Sequence, residues 1–514
     1  MPVHRNPRLN LLCVGLLAAL ATPAVAQEQN RAEAKTLDQV TVTGSRIKRT
    51  DVETALPVTI IQKAQIEAQG ITSAEQLLQF LNIAGNSTDT LAGTAGLGSG
   101  EFRASNGVSG ANLRGQGADA TLVLLNGRRV ATHGLRGQAV DLNSIPFAAI
   151  DRVEVLRDGA SAVYGTDAIG GVINFITRTD YQGITVTAGF DIPQDTGGEI
   201  YTYSLLGGIG DLDEDRWNVW ATVNWRSSQA LHGVDRDFTS SFQPERGLSP
   251  DTSGTPFATV INATGSMMKA TLLDPAGGGL QSRINPLNLP GAAGCEAGGE
   301  MMGPYAYRLW GNAGLKYSCS WDYARSQVIQ QPLNSLQALG RATFKIGDSH
   351  HAYVEAMVSE VESNREFEYQ QMTSSTSATA VLNPSTWYPL NDYTRDTYNM
   401  VYESIRKYFY PGSDPLASVG NLTYGSRIAY RWRCYICGPR QQETTTKASR
   451  FVVGFEGDIG KWSYDAGVTR GQSEATTLLG NGYYYNTGLQ AALGSGYINP
   501  FLMPGQDQGP EARA

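Results

Sequence analysis

An α+β domain followed by antiparallel transmembrane β-barrel strands is the fold class that the sequence predicts. Three features indicate it: an export signal at residues 1–26 with no later apolar run of helix-spanning length, a strand–helix–strand unit at Ile150–Thr177, and alternation of apolar and polar residues after Thr177. A membrane helix needs about 20 apolar residues, whereas a barrel strand needs about 10. If this chain enters a membrane, we therefore expect it to cross as strands.

The N-terminus has the pattern of a cleaved secretory signal. Arg5 and Arg8 form its charged start, Leu9–Leu20 its apolar run and Ala24–Ala26 its small-residue cleavage site. The apolar run is too short to span a bilayer as a helix. We therefore expect residues 1–26 to be removed on export.

The composition favours a β-rich protein with many turns. Charged residues make up 17% of the 514 residues, below the roughly 25% that is usual in soluble domains, and 58 residues are glycine. The formal net charge of −8 provides no electrostatic basis for binding nucleic acid. We therefore expect no nucleic-acid partner.

The segment Ile150–Thr177 has the pattern of a strand, a short helix, a glycine turn and a second strand. Asp158 can cap the helix, which runs through Tyr164, and Gly165 suits a left-handed helix end. Gly170-Gly171 then opens the second strand. The pattern alone also fits one αβ unit of any mixed domain.

The residues of this segment, IDRVEVLRDGASAVYGTDAIGGVINFIT, are similar to the end of the plug domain of TonB-dependent outer-membrane receptors. Asn112–Gly115 followed by Val123–Gly127 also resembles this plug, and Asn126-Gly127 predicts a two-residue hairpin turn after the strand Thr121–Leu125. The strand and two helices predicted for Leu56–Leu81, where Ser73 opens a capping box, resemble the plug as well. The resemblance implies a signal peptide at 1–26, a periplasmic extension at 27–50, a plug at 51–180 and a partial barrel at 181–514.

A short β-prone segment follows the signal. Valines alternate with threonines there, and a tethered extended peptide suits strand addition to the sheet edge of a partner. Any edge strand shares this pattern. The position of the segment, however, resembles the TonB box of the family, which implies binding to periplasmic TonB through Leu37, Asp38, Gln39, Val40, Thr41, Val42 and Thr43.

Strands of a transmembrane type are predicted after Thr177. In Trp217–Trp225 the apolar residues alternate with largely polar partners, and tryptophans stand at both ends of the apolar face, as in membrane barrels. Three short connections are expected on the periplasmic side, and two long ones, Gln229–Asn334 and Glu362–Ala448, outside. The seven predicted strands are Ile184–Phe190, Ile200–Leu206, Trp217–Trp225, Leu336–Lys345, Ala352–Val361, Ser449–Glu456 and Trp462–Thr469.

The strand number departs from the family pattern. A plugged outer-membrane transporter needs about 22 strands to enclose its plug, and about seven are predicted here. An open sheet in lipid leaves unpaired edge groups, each of which costs several kcal/mol. We therefore expect an incomplete barrel, with the sequence being the N-terminal part of a longer receptor.

Three charged residues of the predicted plug are candidates for contact with the barrel wall. Arg152 and Glu154 stand two apart on one strand face, and Arg114 belongs to the plug-like segment Asn112–Gly115. A solvated edge face explains Arg152 and Glu154 about as well. Charged contacts with the wall occur in family plugs, so the resemblance favours a contact.

Four cysteines follow the signal: Cys295, Cys319, Cys434 and Cys437. In exported proteins such cysteines are usually oxidised to disulfides. Four cysteines allow three pairings, and the sequence does not decide among them. Cys434-x-x-Cys437 also has the spacing of half a zinc site, but no second Cys/His half accompanies it. We predict disulfides, and neither a metal nor a cofactor.

The resemblance implies a receptor in Gram-negative outer-membrane lipid that takes up a scarce extracellular nutrient with energy delivered by TonB. Iron–siderophore complexes are the commonest nutrient in the family. A passive porin or adhesin-like barrel without energy coupling is the alternative, and no catalytic grouping or H-E-x-x-H motif indicates an enzyme. The aromatic residues within Tyr305–Trp321 and Tyr388–Tyr410 suit either ligand stacking or packing, and packing is favoured.

Overall fold

The computed structural model describes residues 58–81, 107–135, 137, 139–157, 161–374 and 387–512. These residues lie within one compact unit. The predicted signal peptide, the TonB segment 37–43 and the capping residue Asp158 lie outside the described residues. No helix in the described ranges is long and apolar enough to cross a membrane.

The N-terminal domain is a five-stranded mixed sheet with short helices. The strand order is β1-β4-β5-β2-β3, and only the pair β2 and β5 is parallel. The central strands bury almost every side chain, since both faces are covered. Its elements are β1 (Val58–Gln62), β2 (Thr121–Leu125), β3 (Arg128–Arg129), β4 (Ile150–Leu156), β5 (Gly171–Thr177), α1 (Lys63–Ala68), α2 (Ala74–Gln79), α3 (Ser161–Tyr164), and the 3₁₀ turns Ala118–Ala120, Leu142–Ser144, Phe147–Ala149 and Thr166–Ala168.

Two local signals of the sequence produce the expected structure. Asn126 and Gly127 have φ of 53° and 71°, the left-handed values of a two-residue hairpin turn, and they join β2 to β3. Ser73 caps α2, because its hydroxyl accepts a hydrogen bond from Gln76 N at 3.2 Å. The Gln76 side chain reaches back one residue further than a capping box requires, to Thr72 N at 2.9 Å.

A seven-stranded antiparallel sheet follows, and its strands pair in chain order. All seven predicted strands are present, and the sheet is not closed: β6 and β12 form its edges. The strands are β6 (Gly183–Asp191), β7 (Ile200–Ile209), β8 (Trp217–Ser228), β9 (Leu333–Ile346), β10 (His350–Tyr369), β11 (Pro439–Ile459) and β12 (Trp462–Leu479).

The sheet is apolar on its outer face and polar on its inner face. Along β8, Val223 and Trp225 are exposed, whereas Asn218 and Thr222 are buried against the N-terminal domain. A soluble sandwich has the opposite arrangement, with its apolar face inward. The predicted outward orientation of the apolar face is confirmed, and it suits a lipid-facing surface.

The predicted ends of the later strands were wrong. β10 runs eight residues beyond the predicted end at Val361, and β11 starts ten residues before the predicted start at Ser449. The polar extensions pair with each other as far as Tyr369 and Pro439. Twenty residues of strand span roughly 65 Å, far more than the ~25 Å apolar band of a membrane barrel, so these strands project well beyond such a band.

The long connections form a folded body, which we call the loop module: the described parts of residues 229–332, 370–438 and 480–512. Its buried residues form one large apolar core. Its helices are α4 (Tyr323–Ser326), α5 (Arg395–Phe409) and α6 (Asn486–Ser495). Its strands are Leu231–His232, Thr259–Ile261, Leu272–Leu273, Leu280–Gln281, Arg283–Ile284, Met302–Pro304, Cys319–Trp321, Val328–Gln330, Gln371–Thr373 and Tyr430–Arg433, and its 3₁₀ turns are Gly233–Asp235, Asp237–Thr239, Pro244–Arg246, Pro286–Asn288, Cys295–Gly298, Ala313–Leu315 and Tyr435–Cys437.

Most of the aromatic residues noted in the long connections pack into this core. Trp321, Tyr388 and Tyr398 are fully buried there. Trp310 and Tyr393 remain almost half exposed. The packing interpretation is therefore correct for most of these residues.

Candidate functional site

A buried charge cluster joins the N-terminal domain to the inner face of the sheet. Glu355 of β10 lies between Arg341 of β9 and Arg450 of β11. Arg341 Nη1 is 3.6 Å from Glu355 Oε2, and Arg450 Nη1 forms an ion pair with Glu355 Oε1. All three side chains are at most 4% exposed. Two guanidinium groups therefore share one buried carboxylate.

The hairpin turn of the N-terminal domain sits on this cluster. Asn126 Nδ2 donates to Glu355 Oε2 at 2.6 Å, and Arg450 Nη2 donates to the carbonyl of Leu125 at 3.0 Å. The other side of the Asn126 amide accepts a hydrogen bond from Thr177 N at 2.8 Å. The left-handed turn thus places one side chain where it ties the end of β5 to the wall.

A second contact runs from β3 to the wall through Arg128. Its Nε and Nη2 donate to the Tyr353 hydroxyl at 3.0 and 2.9 Å, and it forms an ion pair with Asp465 of β12. The Arg341 guanidinium lies 4.3 Å from the centre of the Tyr353 ring, within cation–π range. The two charge groups therefore meet at Tyr353.

Single hydrogen bonds extend the interface along the sheet. His133 Nε2 lies 2.9 Å from Thr446 Oγ1, and Gln337 Nε2 donates to the carbonyl of Asn143 at 2.6 Å. Burial lowers the pKa of His133 below its usual value, so the ring is neutral at pH 7. These contacts are polar, directional and spread over several strands.

Asp141 organises the segment of the N-terminal domain that faces β9. Its Oδ1 accepts hydrogen bonds from Ser109 N, Asn143 N and Asn143 Nδ2, at 3.1, 3.1 and 3.0 Å. Burial nevertheless raises the pKa of Asp141 to about 7, against the opposing effect of these donors. The group therefore titrates near neutral pH.

The three charged residues predicted to touch the wall lie elsewhere in the domain. Arg152 Nε donates to Glu154 Oε1 at 2.9 Å along β4, and Glu154 is buried. Arg114, which has φ of 61°, points Nη1 towards the carbonyl of Arg157 at 3.4 Å. Their role as wall contacts stays a prediction.

The sequence did contain a signal for the residues that form the cluster. Arg341, Glu355 and Arg450 each occupy the inward position of an alternating strand, where a charge must find a buried partner. Three such charges on consecutive strands predict a shared ion pair. The hairpin turn that meets them is visible only in the tertiary structure, because Leu125 and Glu355 are far apart in the sequence.

A cavity of about 280 Å³ lies between the first helices of the N-terminal domain and strands β6 to β9. Thr187, Thr202, Asn224 and Arg226 are among its lining residues. Arg226 Nε and Nη1 are buried without a hydrogen-bond partner among the described residues. The surface of the cavity is nevertheless mainly apolar, and Arg226 and Asn224 contribute buried donors that have no partner among the described residues.

The four cysteines form two disulfides in the loop module, Cys295 with Cys319 and Cys434 with Cys437. Within the described ranges, no group of three or more His, Cys, Asp or Glu side chains is arranged to hold a metal ion.

The comparisons with known proteins follow the same division of the chain. Residues 50–172 match the model of the TonB-dependent Receptor Plug Domain family. The ferric enterobactin receptor of Pseudomonas aeruginosa is 14% identical with a TM-score of 0.33, and the match covers 80% of this chain and 45% of that one. The siderophore receptor PirA of Acinetobacter baumannii is 16% identical with a TM-score of 0.35, and the match covers 81% of this chain and 44% of that one. The ferric preacinetobactin receptor BauA of the same organism is 10% identical with a TM-score of 0.36, and the match covers 82% of this chain and 48% of that one.

This chain thus spans about half the length of the solved structures that it matches. The N-terminal domain and the matched residues 50–172 coincide almost completely, and seven antiparallel strands with an apolar outer face follow them. Residues 50–172 therefore match a plug domain of the TonB-dependent receptor type, and an open antiparallel sheet of seven strands follows it.

Proposed function

We propose that this protein acts in the outer membrane as a TonB-dependent receptor that imports a scarce nutrient. One observation carries the proposal: a plug domain rests on the polar inner face of strands whose outer face is apolar. Such a pair of surfaces suits a lipid-embedded wall around an occluding domain. A passive pore has no need of the occluding domain.

Energy enters the receptor through the segment 37–43. Periplasmic TonB adds this segment to its own sheet by main-chain hydrogen bonds, and tension then reaches the plug at β1. Among the described strands, β1 lies at an edge of the plug sheet and pairs with β4 over five residues. Tension from the N-terminal side separates these pairs one after another, so β1 is the first element to yield.

The polar contact between plug and wall suits this cycle. Each neutral hydrogen bond contributes only about 0.5–1.5 kcal/mol net, because water replaces the lost partner when the bond opens. The contacts of His133 and Gln337 can therefore open in sequence rather than together. The charge cluster at Glu355 is the strongest point and sets the force that releases the plug.

An iron–siderophore complex, the commonest nutrient in the family, is the first candidate to test. Growth on single iron sources, compared with growth limited by other scarce nutrients, identifies the class. A growth defect that appears only under iron limitation supports a siderophore. A defect under another limitation replaces that assignment and leaves the receptor proposal standing.

The TonB segment is tested with Val42→Pro in cells that produce the receptor. Proline removes a main-chain donor, so strand addition fails and nutrient uptake falls at least about tenfold, while nutrient binding to the cell surface persists. Val42→Ala keeps the donor and is the matched control. Normal uptake by Val42→Pro would show that residues 37–43 do not couple to TonB and would favour a passive barrel.

A further inference from the structure

Two arginines of the loop module converge on one buried hydroxyl group. Arg283 Nη1 donates to Ser253 Oγ at 2.9 Å, and Arg431 Nη1 donates to the same oxygen at 3.3 Å. Ser253 is fully buried, and both arginines are partly exposed. The strands that carry the arginines flank Thr259–Ile261, so the two side chains leave the same face of one small sheet.

This arginine pair differs from the buried arginines Arg433 and Arg450, which form ion pairs. Arg433 pairs with Glu368, and Arg450 pairs with Glu355. No carboxylate of a described residue lies within 4 Å of Arg283 or Arg431. Arg431 Nε is also buried without a partner among the described residues.

The electrostatic environment of Arg431 reflects this imbalance. Burial, together with the charges of Arg283 and Arg433, lowers the pKa of Arg431 to about 10, against the weaker opposing effect of Asp251 and Tyr305. Burial likewise lowers the pKa of Arg283. Two cations held together without a counter-ion cost free energy that a bound anion would recover.

The Ser253 hydroxyl adds a further unused donor. Guanidinium groups only donate, so Ser253 Oγ acts as acceptor in both of its hydrogen bonds. Its own proton has no acceptor among the other described residues. Tyr305, which interacts electrostatically with both arginines, stands beside them. Two guanidinium groups therefore converge on one hydroxyl oxygen, and no carboxylate of a described residue pairs with either of them.

We propose that Arg283, Arg431 and Ser253 form a binding site for the carboxylate or phosphate group of a small soluble ligand. Arginine pairs such oxygen atoms with parallel N–H donors, and a hydroxyl group can complete the contact. The binding itself stands on the geometry of the loop module. Only its place outside the cell, and hence a role in nutrient capture, rests on the proposed function.

Binding is measured on the full chain purified in detergent, by titration with citrate and with inorganic phosphate against chloride at equal ionic strength. We expect citrate or phosphate to bind and to raise the unfolding temperature. Arg431→Gln and Arg283→Gln should each weaken this binding at least about tenfold, the effect of losing one charged hydrogen bond. Arg308→Gln removes an exposed charge of the same module and should change the affinity less than about twofold.

Three outcomes would overturn the site: no preference for citrate or phosphate over chloride, equal losses in Arg431→Gln and Arg308→Gln, or Arg431-dependent binding of lipopolysaccharide in mixed micelles without binding of either soluble anion. The last outcome would assign the oxyanion to a lipid headgroup instead. If the arginine variants do not fold, Ser253→Ala keeps both charges and should weaken binding about threefold to tenfold. Unchanged affinity in Ser253→Ala would then refute the site.

Measurements of anion affinity and of nutrient uptake distinguish failure of the anion site from failure of the receptor proposal. Loss of citrate and phosphate binding in Arg431→Gln together with normal nutrient uptake would leave the receptor standing and exclude this site from nutrient capture. If the Val42→Pro receptor takes up no nutrient but still binds the anion, the defect lies in energy coupling alone.

Discussion

The plug interface and the loop module are held together by different interactions. The plug meets the wall through charges and hydrogen bonds around Glu355, and four apolar wall residues also pack against its core: Leu206, Trp220, Leu339 and Met357. The loop module packs a large apolar core around α5 and carries two disulfides. Polar bonds can exchange with water singly, whereas a packed core opens as a unit. Under the proposed function, polar contacts let the plug separate from the wall, whereas the packed module keeps its shape.

The largest effect is expected where the plug interface is strongest. Glu355→Gln leaves Arg341 and Arg450 buried without a carboxylate, which destabilises the protein by about 3–5 kcal/mol. Urea unfolding in detergent, followed by tryptophan fluorescence, measures the change. Glu360→Gln on the same strand is the control, because its pair with Lys447 is exposed and contributes at most about 1 kcal/mol. Equal midpoints for the two variants would mean that the buried cluster does not hold the plug.

The second-largest effect is expected on the stability of the loop module when one of its disulfides is removed. Cys295 and Cys319 are 24 residues apart, so Cys295→Ser costs about 3 kcal/mol in the chain-entropy model, and Cys434→Ser, which opens a loop of 3 residues, costs about 2 kcal/mol. Limited proteolysis of the module reports both losses. The plug has a core separate from that of the module, so it should keep its protection. Release of the plug in Cys295→Ser would contradict the independence of the two regions.

The smallest expected effect is a pH dependence of stability that the plug shows and the Asp274 region of the module does not. The pKa of Asp141 in the plug is raised to about 7, so its contribution to stability is complete below its unfolded value near 3.8 and is lost as the pH rises through 7. The slope is at most about 1.4 kcal/mol per pH unit. Hydrogen exchange between pH 6 and 8, corrected for intrinsic rates, should show plug amides loosening as the pH rises. Asp141→Asn should abolish the trend.

Asp274 supplies the matching observation in the module. Burial alone would raise its pKa, but hydrogen bonds from Lys316, Ala276 N, Tyr317 and Tyr408 outweigh burial and lower the pKa to about 2. Its contribution is therefore present above the unfolded value and is lost only as the pH falls through about 2. Amides held by the Asp274 hydrogen bonds should therefore show no trend between pH 6 and 8. A parallel trend in both regions would remove the contrast.

Local patterns predicted the elements whose causes are local. The turn at Asn126-Gly127, the cap at Ser73 and the outward face of β8 all appear as expected, because each depends on residues within one turn or one strand. The strand ends did not follow from the pattern. β10 and β11 continue beyond their alternating apolar residues because each supplies the other with main-chain partners.

The candidate sites show the same division. The sequence pointed to Arg152 and Glu154 as wall contacts, and the structure pairs them with each other on β4. Asn126 was assigned to a turn, which it forms, but its contact with Glu355 joins positions 229 residues apart. No local pattern encodes such a distance.

The amino-acid sequence alone specifies the export signal pattern, the β-rich class and the side of each strand that faces outward, because these depend on composition and on a two-residue period. The plug was recognised from the sequence by its resemblance to a known family. The tertiary fold decides which charges meet inside the sheet, how the cysteines pair and how the long connections join into one core. It does so because burial requires every charge and polar group to find a partner, and the partner can come from any part of the chain.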